Sequence, residues 1–276
     1  MMKTQVPNKT PSQRADAFAN GLTQEKASMQ NVDGARYWQV NHADYGDVSE
    51  EPLSKVALLA ADNLLAASQM IPTVTHGDKT TIDRLEAFRK SLKDEMQASG
   101  VKLSSLAFFV KALAKTLKEY PRFNSSLTPD FKTLVLKSYV HIGIAVDTEY
   151  GLVVPVIRDA NYKGIVDIAK EIGSLAKAAR EKKLKGENFG GASMTISSLG
   201  GIAGTHFTPI VNPPEVAILG ITKATVEPVW NGEDFKPETR LPLDITYDHR
   251  VINGADAAQF LKYFCTLLDE PRRLLV

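Results

Sequence analysis

The run Leu241-Pro-Leu-Asp-Ile-Thr-Tyr247-Asp248-His249-Arg250-Val251-Ile252-Asn253-Gly254-Ala255-Asp256 passes from a strand, through a polar turn, into a helix. Its first seven residues alternate apolar and polar side chains with the period of a half-buried strand. Beyond the run, Ala258, Leu261, Phe264, Cys265 and Leu268 recur at helical spacing. His249 thus stands on a junction between two rigid elements, where a general base is well mounted. Such a base needs its second ring nitrogen held, so that the acceptor nitrogen faces the reacting proton. Asn253, four residues on, is placed to hold that turn. Asn253-Gly254 also marks a turn by itself, because both residues tolerate positive φ, and Asn253 can equally cap a helix beginning near Ala255. The two readings are compatible.

Upstream, helical and extended segments alternate. Leu53 to Met70 is rich in Leu and Ala and stops before Pro72. Asp83 to Ser99 and Leu103 to Glu119 read as two further helices, closed by Gly100 and Pro121, and Ile165 to Lys185 as a long amphipathic helix ending at Gly186. β-Branched runs at Leu134 to Leu136, Ile142 to Val146, Leu152 to Ile157, Ser193 to Ser198, Val216 to Ile221 and Thr225 to Trp230 join Leu241 to Tyr247 as strands. This mixture predicts an α/β sandwich with a mixed β-sheet flanked by helices, not the strict alternation of a doubly wound fold. Residues 1–36 are polar and without sustained period, and read as a flexible N-terminal arm ahead of one domain over 37–276. Tyr37-Trp-Gln-Val-Asn-His-Ala-Asp-Tyr45-Gly46 has aromatics without enough neighbours for a core, as expected of a strap laid on another subunit or on its own domain.

The 276 residues, 43% apolar and 24% charged with a mean hydropathy of −0.15, are enough to bury a substantial core. A net charge of +1 gives no electrostatic case for nucleic acid or a membrane surface. No apolar run approaches the ~18 residues needed to span a bilayer, and the polar start Met1-Met-Lys-Thr-Gln-Val-Pro7 is no secretory signal, so the default expectation is cytoplasmic. Cys265, the single cysteine, lies on the apolar stripe of the last helix with nothing nearby to lower its pKa, and reads as a core residue. His42, His76, His141 and His206 lack ligand spacing and a cysteine partner, so no metal site is expected. Gly190-Gly191, Gly200-Gly201 and Gly204 form neither a phosphate loop nor a dinucleotide fingerprint.

The segment around His249 resembles the His-x-x-x-Asp-Gly motif shared by dihydrolipoyl acyltransferases of 2-oxo acid dehydrogenase complexes and chloramphenicol acetyltransferases. Arg122-Phe-Asn-Ser-Ser126, Ile142-Gly-Ile-Ala-Val-Asp147, Gly151-Leu-Val-Val-Pro-Val156, Thr195-Ile-Ser-Ser-Leu-Gly200 and Pro209-Ile-Val-Asn-Pro-Pro-Glu-Val-Ala-Ile-Leu-Gly220 resemble successive signatures of the first group, in its order, from about Pro52 to Val276. The resemblance implies a chloramphenicol acetyltransferase-like two-layer sandwich and acetyl transfer between a dihydrolipoyl thioester and coenzyme A. A free thiol is mostly protonated at neutral pH, so a base is required. By resemblance that base is His249, and Ser197 is the donor to the oxyanion formed on the thioester carbonyl. A structural hydroxyl and a nucleophile are the competing readings of Ser197, the latter opposed by the missing Gly-x-Ser-x-Gly elbow. Ser198 is the adjacent alternative for any of these roles.

Two departures bear on the site. Asn253 stands where the commoner residue is acidic. An amide holds geometry but cannot stabilise an imidazolium by charge, which makes backbone contacts the expected means of orienting His249. Where many relatives have a basic helix and a Pro-His pair, this chain has Lys55 alone in Leu53-Ser-Lys-Val-Ala-Leu-Leu-Ala60, and Pro72-Thr73. Lys79, Lys102 and Arg122 are possible compensating contacts for the coenzyme phosphates, with solvated lysines and a structural arginine as the plainer readings. His206, near Ser197 in sequence, is a candidate for the wall of a substrate channel.

The resemblance also implies assembly: a homotrimer with His249 of one subunit facing Ser197 of its neighbour, and a larger cubic core joined through the tail Arg272-Arg-Leu-Leu-Val276. Packing of that tail on its own domain is the alternative. No lipoyl or peripheral-subunit-binding domain is recognised before Pro52, so the lipoyl group is expected from another domain or protein, within a pyruvate-type complex with its dehydrogenase subunits. A noncatalytic scaffold of the same fold and an acetyl-CoA-dependent transferase acting on a small hydroxylated acceptor remain the alternative functions.

Overall fold

A computed structural model describes residues 39–275. The segment read as a flexible arm, 1–36, and Tyr37-Trp38 lie outside the described residues. Two compact units divide at Leu53 and Ser54. The described part of the first holds one 3-10 turn, His42–Asp44, in which Asn41 Nδ2 donates to Asp44 Oδ1 at 3.1 Å.

The second unit opens with helix α1, Lys55–Met70, whose N-cap Ser54 accepts the Ala57 N–H. Of its residues only Ala67 is buried, while Leu58, Leu59, Leu64, Leu65 and Met70 are exposed. Strand β1 is Thr73–Thr81. Helices α2, Asp83–Ser91, and α3, Lys93–Ala98, split at Leu92 the helix expected over Asp83 to Ser99. Helix α4, Ser105–Glu119, leads through the turn Pro121–Phe123 to the hairpin of β2, Ser125–Leu127, and β3, Leu134–Leu136. Strands β4, Ile142–Ile144, and β5, Val156–Ile157, precede helix α5, Ile165–Arg180, which stops five residues short of the expected end. Then follow β6, Met194–Ser198; β7, Ala217–Ile221; β8, Thr225–Trp230; β9, Phe235–Asp248; and helix α6, Gly254–Asp269.

The main sheet runs β1-β9-β7-β6-β4-β5, with β8 pairing on β9. Strands β4, β6 and β7 are parallel to one another, while β1, β5, β8 and β9 join antiparallel, giving the expected mixed sheet. Strand β9 is twice the expected length because its first half, exposed to half-buried and partly charged, forms the hairpin with β8. β1 was not predicted: Thr-Val-Thr-His-Gly-Asp-Lys-Thr-Thr lacks apolar alternation, and its place at the sheet edge explains why it needs none.

Alternation along the strands sorts their side chains. Leu241, Leu243, Ile245 and Tyr247 of β9, Met194 and Ile196 of β6, and Ala217, Leu219 and Ile221 of β7 enter one core with α4 and α6. In α6 the buried stripe is Ala257, Phe260, Leu261, Phe264, Leu267 and Leu268, whereas Ala258 and Cys265, expected on it, lie at its margin. Phe260 stacks on Phe123 with ring centroids 4.1 Å apart. The opposite face of the same strands is polar: Thr195, Ser197, Asp244 and Thr246 project there, and Thr246 Oγ1 meets Thr75 Oγ1 of β1 at 2.8 Å. The tail divides: Leu274 is buried in the core at the turn Pro271–Leu274 and Leu275 is 68% exposed.

Candidate active site

The His249 turn is built from the backbone outward. Asp248, the last residue of β9, donates its N–H to Val216 O, and its own carbonyl accepts from Val251 and Ile252. The buried Asp248 carboxylate is matched by a fork from Arg250, whose Nη2 and Nε donate at 2.7 and 3.0 Å. That pairing raises the Arg250 pKa, and the guanidinium also covers the Phe131 ring at 4.5 Å. His249 N–H donates to Pro72 O at 3.0 Å, at the entrance to β1, and its ring tilts against Tyr247 with centroids 5.7 Å apart. Arg122, weighed as a phosphate contact, instead closes the turn from behind, Nη2 donating to Val251 O at 2.9 Å.

Asn253 serves as the N-cap residue of α6, its N–H donating to the Asp256 carboxylate at 3.3 Å, and makes no bond to the imidazole. Of the two readings of Asn253, capping is therefore the one with a visible contact. His249 is exposed, and its hydrogen bond to the rest of the domain is made by its main chain.

Ser197 is a half-buried residue of β6, and its hydroxyl has no partner among the described residues. Ser198 faces the other way, lining a cavity of about 670 Å³ with Glu86, Ser105 and Thr222. Ser197 pairs with Gly220, which pairs with Asp244, five residues before His249 on β9. Two strand spacings across and about five residues along place Ser197 and His249 roughly 15–20 Å apart within one chain. One chain therefore does not bring the two together.

Beneath Ser197, Thr195 Oγ1 donates to Glu215 Oε1 at 2.8 Å and Asn212 Nδ2 donates to the same oxygen at 2.9 Å. Asn63 of α1 donates in turn to Asn212 Oδ1 at 3.1 Å. Glu215 Oε2 is buried without a partner among the described residues, and burial pushes the carboxyl up to about 7. Periodicity gave no signal for this network, since a lone Glu after Pro-Pro reads as a turn residue. His206 Nδ1 lies 2.5 Å from Asp244 Oδ1 on the polar face.

The remaining candidates are scattered. Lys79 is bound by Glu227 at 2.8 Å, Lys102 is exposed, Lys55 begins α1 and Thr73 begins β1. His141 Nδ1 accepts the Asp159 N–H, and burial lowers its pKa. Cys265 has its thiol pushed up to about 12 by burial, which makes it inert at neutral pH. Among the described residues no group of three His, Cys, Asp or Glu is placed to hold a metal ion, and no helix is long and apolar enough to cross a membrane.

The family model of the 2-oxoacid dehydrogenases acyltransferase (catalytic domain) matches residues 45–276. The chain belongs to this family. Among curated members, the dihydrolipoyllysine-residue acetyltransferase component of the pyruvate dehydrogenase complex of Haemophilus influenzae is 46% identical over 267 residues, covering 94% of this chain and 47% of that protein. The component of the same name from Azotobacter vinelandii is 49% identical over 237 residues, covering 86% of this chain and 37% of its own length. The chain thus spans about half the length, or less, of these acyltransferase components. Among solved structures of the family, one concerns the role of a serine, a histidine and an asparagine in the catalytic mechanism of Azotobacter vinelandii dihydrolipoamide acetyltransferase. It superposes with a TM-score of 0.85 at 49% identity, covering 86% of this chain and 98% of that one. A structure of the cubic core of the pyruvate dehydrogenase multienzyme complex gives the same values.

Proposed function

We propose that this acyltransferase domain transfers an acetyl group between a dihydrolipoyl thioester and coenzyme A, with His249 as general base and Ser197 as oxyanion donor. One observation carries the reading. Ser197, His249 and Asn253 have the same sequence separations as the serine, histidine and asparagine studied in the Azotobacter vinelandii acetyltransferase, on a matching fold. In the forward step the His249 imidazole takes the proton of the coenzyme thiol, whose sulfur adds to the thioester carbonyl. Ser197 O–H donates to the oxygen that becomes negative. Collapse breaks the bond to the dihydrolipoyl sulfur, which leaves with the proton returned by the imidazolium. No acyl-serine intermediate is needed, since the deprotonated thiol is itself a good nucleophile. Asn253 acts by fixing the helix start that follows the turn.

The separation of Ser197 from His249 within one chain supports a site completed by a second copy. The exposed leucines of α1 offer an apolar surface for that contact. On this reading the assembly is a homotrimer within a cubic core, working in the cytoplasm beside the dehydrogenase subunits and receiving its lipoyl arm from another domain or protein. The domain division is then an arm over 1–36 and a catalytic domain over 37–276. Purified protein is expected to transfer acetyl from acetyl-CoA to free dihydrolipoamide, and His249→Ala to lower turnover at least ~10²-fold at unchanged oligomeric state. Equal rates for the two proteins would remove His249 from the mechanism. An inactive but correctly assembled wild type would favour a scaffold or a different acceptor.

A further inference from the structure

One row of residues crosses the polar face of the sheet at the level of Ser197: Ser197 of β6, Gly220 of β7, Asp244 of β9 and Gly77 of β1. The two glycines make room for what lies over the row. A Cβ on Gly220 would stand 2.8 Å from the Phe207 ring, and one on Gly77 would stand 3.0 Å from Asp244 Oδ1. Between them the Asp244 side chain is 3% exposed, and its Oδ2 accepts the Phe207 N–H at 3.1 Å. Its Oδ1 engages His206 Nδ1, while the His206 side chain itself is 62% exposed.

Burying a carboxylate carries a desolvation penalty, and here both of its hydrogen-bond partners belong to the loop segment His206-Phe207. What the arrangement secures is the orientation of one imidazole. In the neutral imidazole, donation from Nδ1 to the Asp244 oxygen leaves Nε2 as the acceptor. With its ring nitrogen tied, its backbone neighbour tied and Phe207 seated on Gly220, the group is preorganised in the manner of a binding residue.

His206 borders an open cavity of about 440 Å³ together with Asp78, Lys79 and Thr205. Glu227 already neutralises Lys79, and Asp78 and Asp244 add negative charge, so the cavity is ill suited to a phosphate. It suits an uncharged hydrogen-bond donor. Ser197 and Asp244 are two strand spacings apart, about 10 Å, the length of roughly three residues of extended chain. Both thiol arms of the proposed reaction carry amide N–H groups along their length.

We propose that His206, held by Asp244, is a substrate-positioning residue on Ser197's own subunit, its Nε2 accepting a hydrogen bond from an amide N–H of a thiol arm. This rests on the acetyl-transfer reading. It assigns His206 to binding of the arm and leaves the proton transfer to His249.

The test uses the assembled protein with acetyl-CoA and dihydrolipoamide, each varied against saturating partner, in wild type, His206→Ala and His206→Asn. Asparagine keeps an N–H where Nδ1 donates to Asp244 and deletes Nε2. Both variants are expected to raise the KM of one of the two substrates three- to tenfold, the range of one hydrogen bond, with kcat within about twofold. The substrate affected identifies the arm. Unchanged KM for both substrates, a loss confined to kcat, or a defect in His206→Ala that His206→Asn lacks would each overturn the proposal, the last by reducing His206 to a loop prop. Calorimetric titration of coenzyme A and dihydrolipoamide separates this from the reading beneath it. A wild type that binds without turnover sinks the transfer reaction, whereas equal Kd for both ligands in wild type and His206→Asn sinks the positioning role.

Discussion

The two faces of the sheet bury residues equally well and by different means. Along β9, Leu241, Leu243, Ile245 and Tyr247 disappear into an apolar core, while their neighbours Asp244, Thr246 and Asp248 are no more exposed but are covered by polar pairing. On the first face removal from water is itself the driving force, at about 25 cal/mol per Å². On the second, polar side chains are paired with polar partners, and the pairings fix orientation: Asp248 with Arg250, Asp244 with His206, Glu215 Oε1 with Thr195 and Asn212. The helix face therefore makes the domain stable, and the open face carries Ser197 of the proposed site.

That division is open to direct attack. Phe260, fully buried and stacked on Phe123, is the place to begin: Phe260→Ala is expected to destabilise the domain by about 3–5 kcal/mol in denaturant titration. The surviving folded fraction should keep its kcat, and a changed kcat per folded site would mean that the core shapes the chemistry. Ser197→Ala is the mirror experiment. A donor to the oxyanion is worth about 10²–10³ in kcat, and loss of an unpaired strand hydroxyl should leave the melting temperature within about 1 °C. A melting point falling with activity would make Ser197 structural.

Glu215 sharpens the comparison, because it is bonded to Thr195, two residues from Ser197, yet is deeply buried. Its folded carboxyl titrates near 7 against an ordinary value of 4.5, raised first by desolvation and only partly offset by Asn212 and Thr195. A carboxyl whose pKa is raised on folding binds its proton more tightly when folded, so its contribution to stability is fully present below the ordinary value and is lost as pH rises toward 7. Glu215→Gln, neutral throughout, should gain stability on wild type by about 1–3 kcal/mol between pH 5 and pH 8. Parallel stability curves would show that the carboxyl is charged in the folded protein at both values. The smallest effect is expected at Asn253. A carboxylate caps a helix N-terminus as well as an amide does, so Asn253→Asp should leave turnover within about threefold, and a loss beyond tenfold would give the amide a direct role at the imidazole.

The strand, turn and helix around His249 were legible because their periods change abruptly there, β6 because Met194 and Ile196 alternate with Thr195 and Ser197, and β7 because it is a buried apolar run. β1 was not, since an edge strand with one partner needs no apolar face, and neither was the first half of β9, whose Phe-Lys-Pro-Glu-Thr-Arg is stabilised by a hairpin and not by burial. Helix α1 is legible as a helix from its Leu and Ala content and its stop before Pro72, and its leucines lie on the surface. At the site, single residues could be named and their mutual arrangement could not. Glu215 under Thr195 and Asp244 beneath His206 join positions 20 and 38 residues apart, and only strand register brings them together.

The sheet ends in three edges, and each resists the addition of another strand. β5 has two residues, β8 carries Pro228 opposite Pro237, and β1 presents Gly77, Asp78 and Lys79. Short length, proline and charge are the devices by which native proteins prevent edge-to-edge aggregation. A domain with this many exposed leucines is thereby kept from polymerising through its backbone.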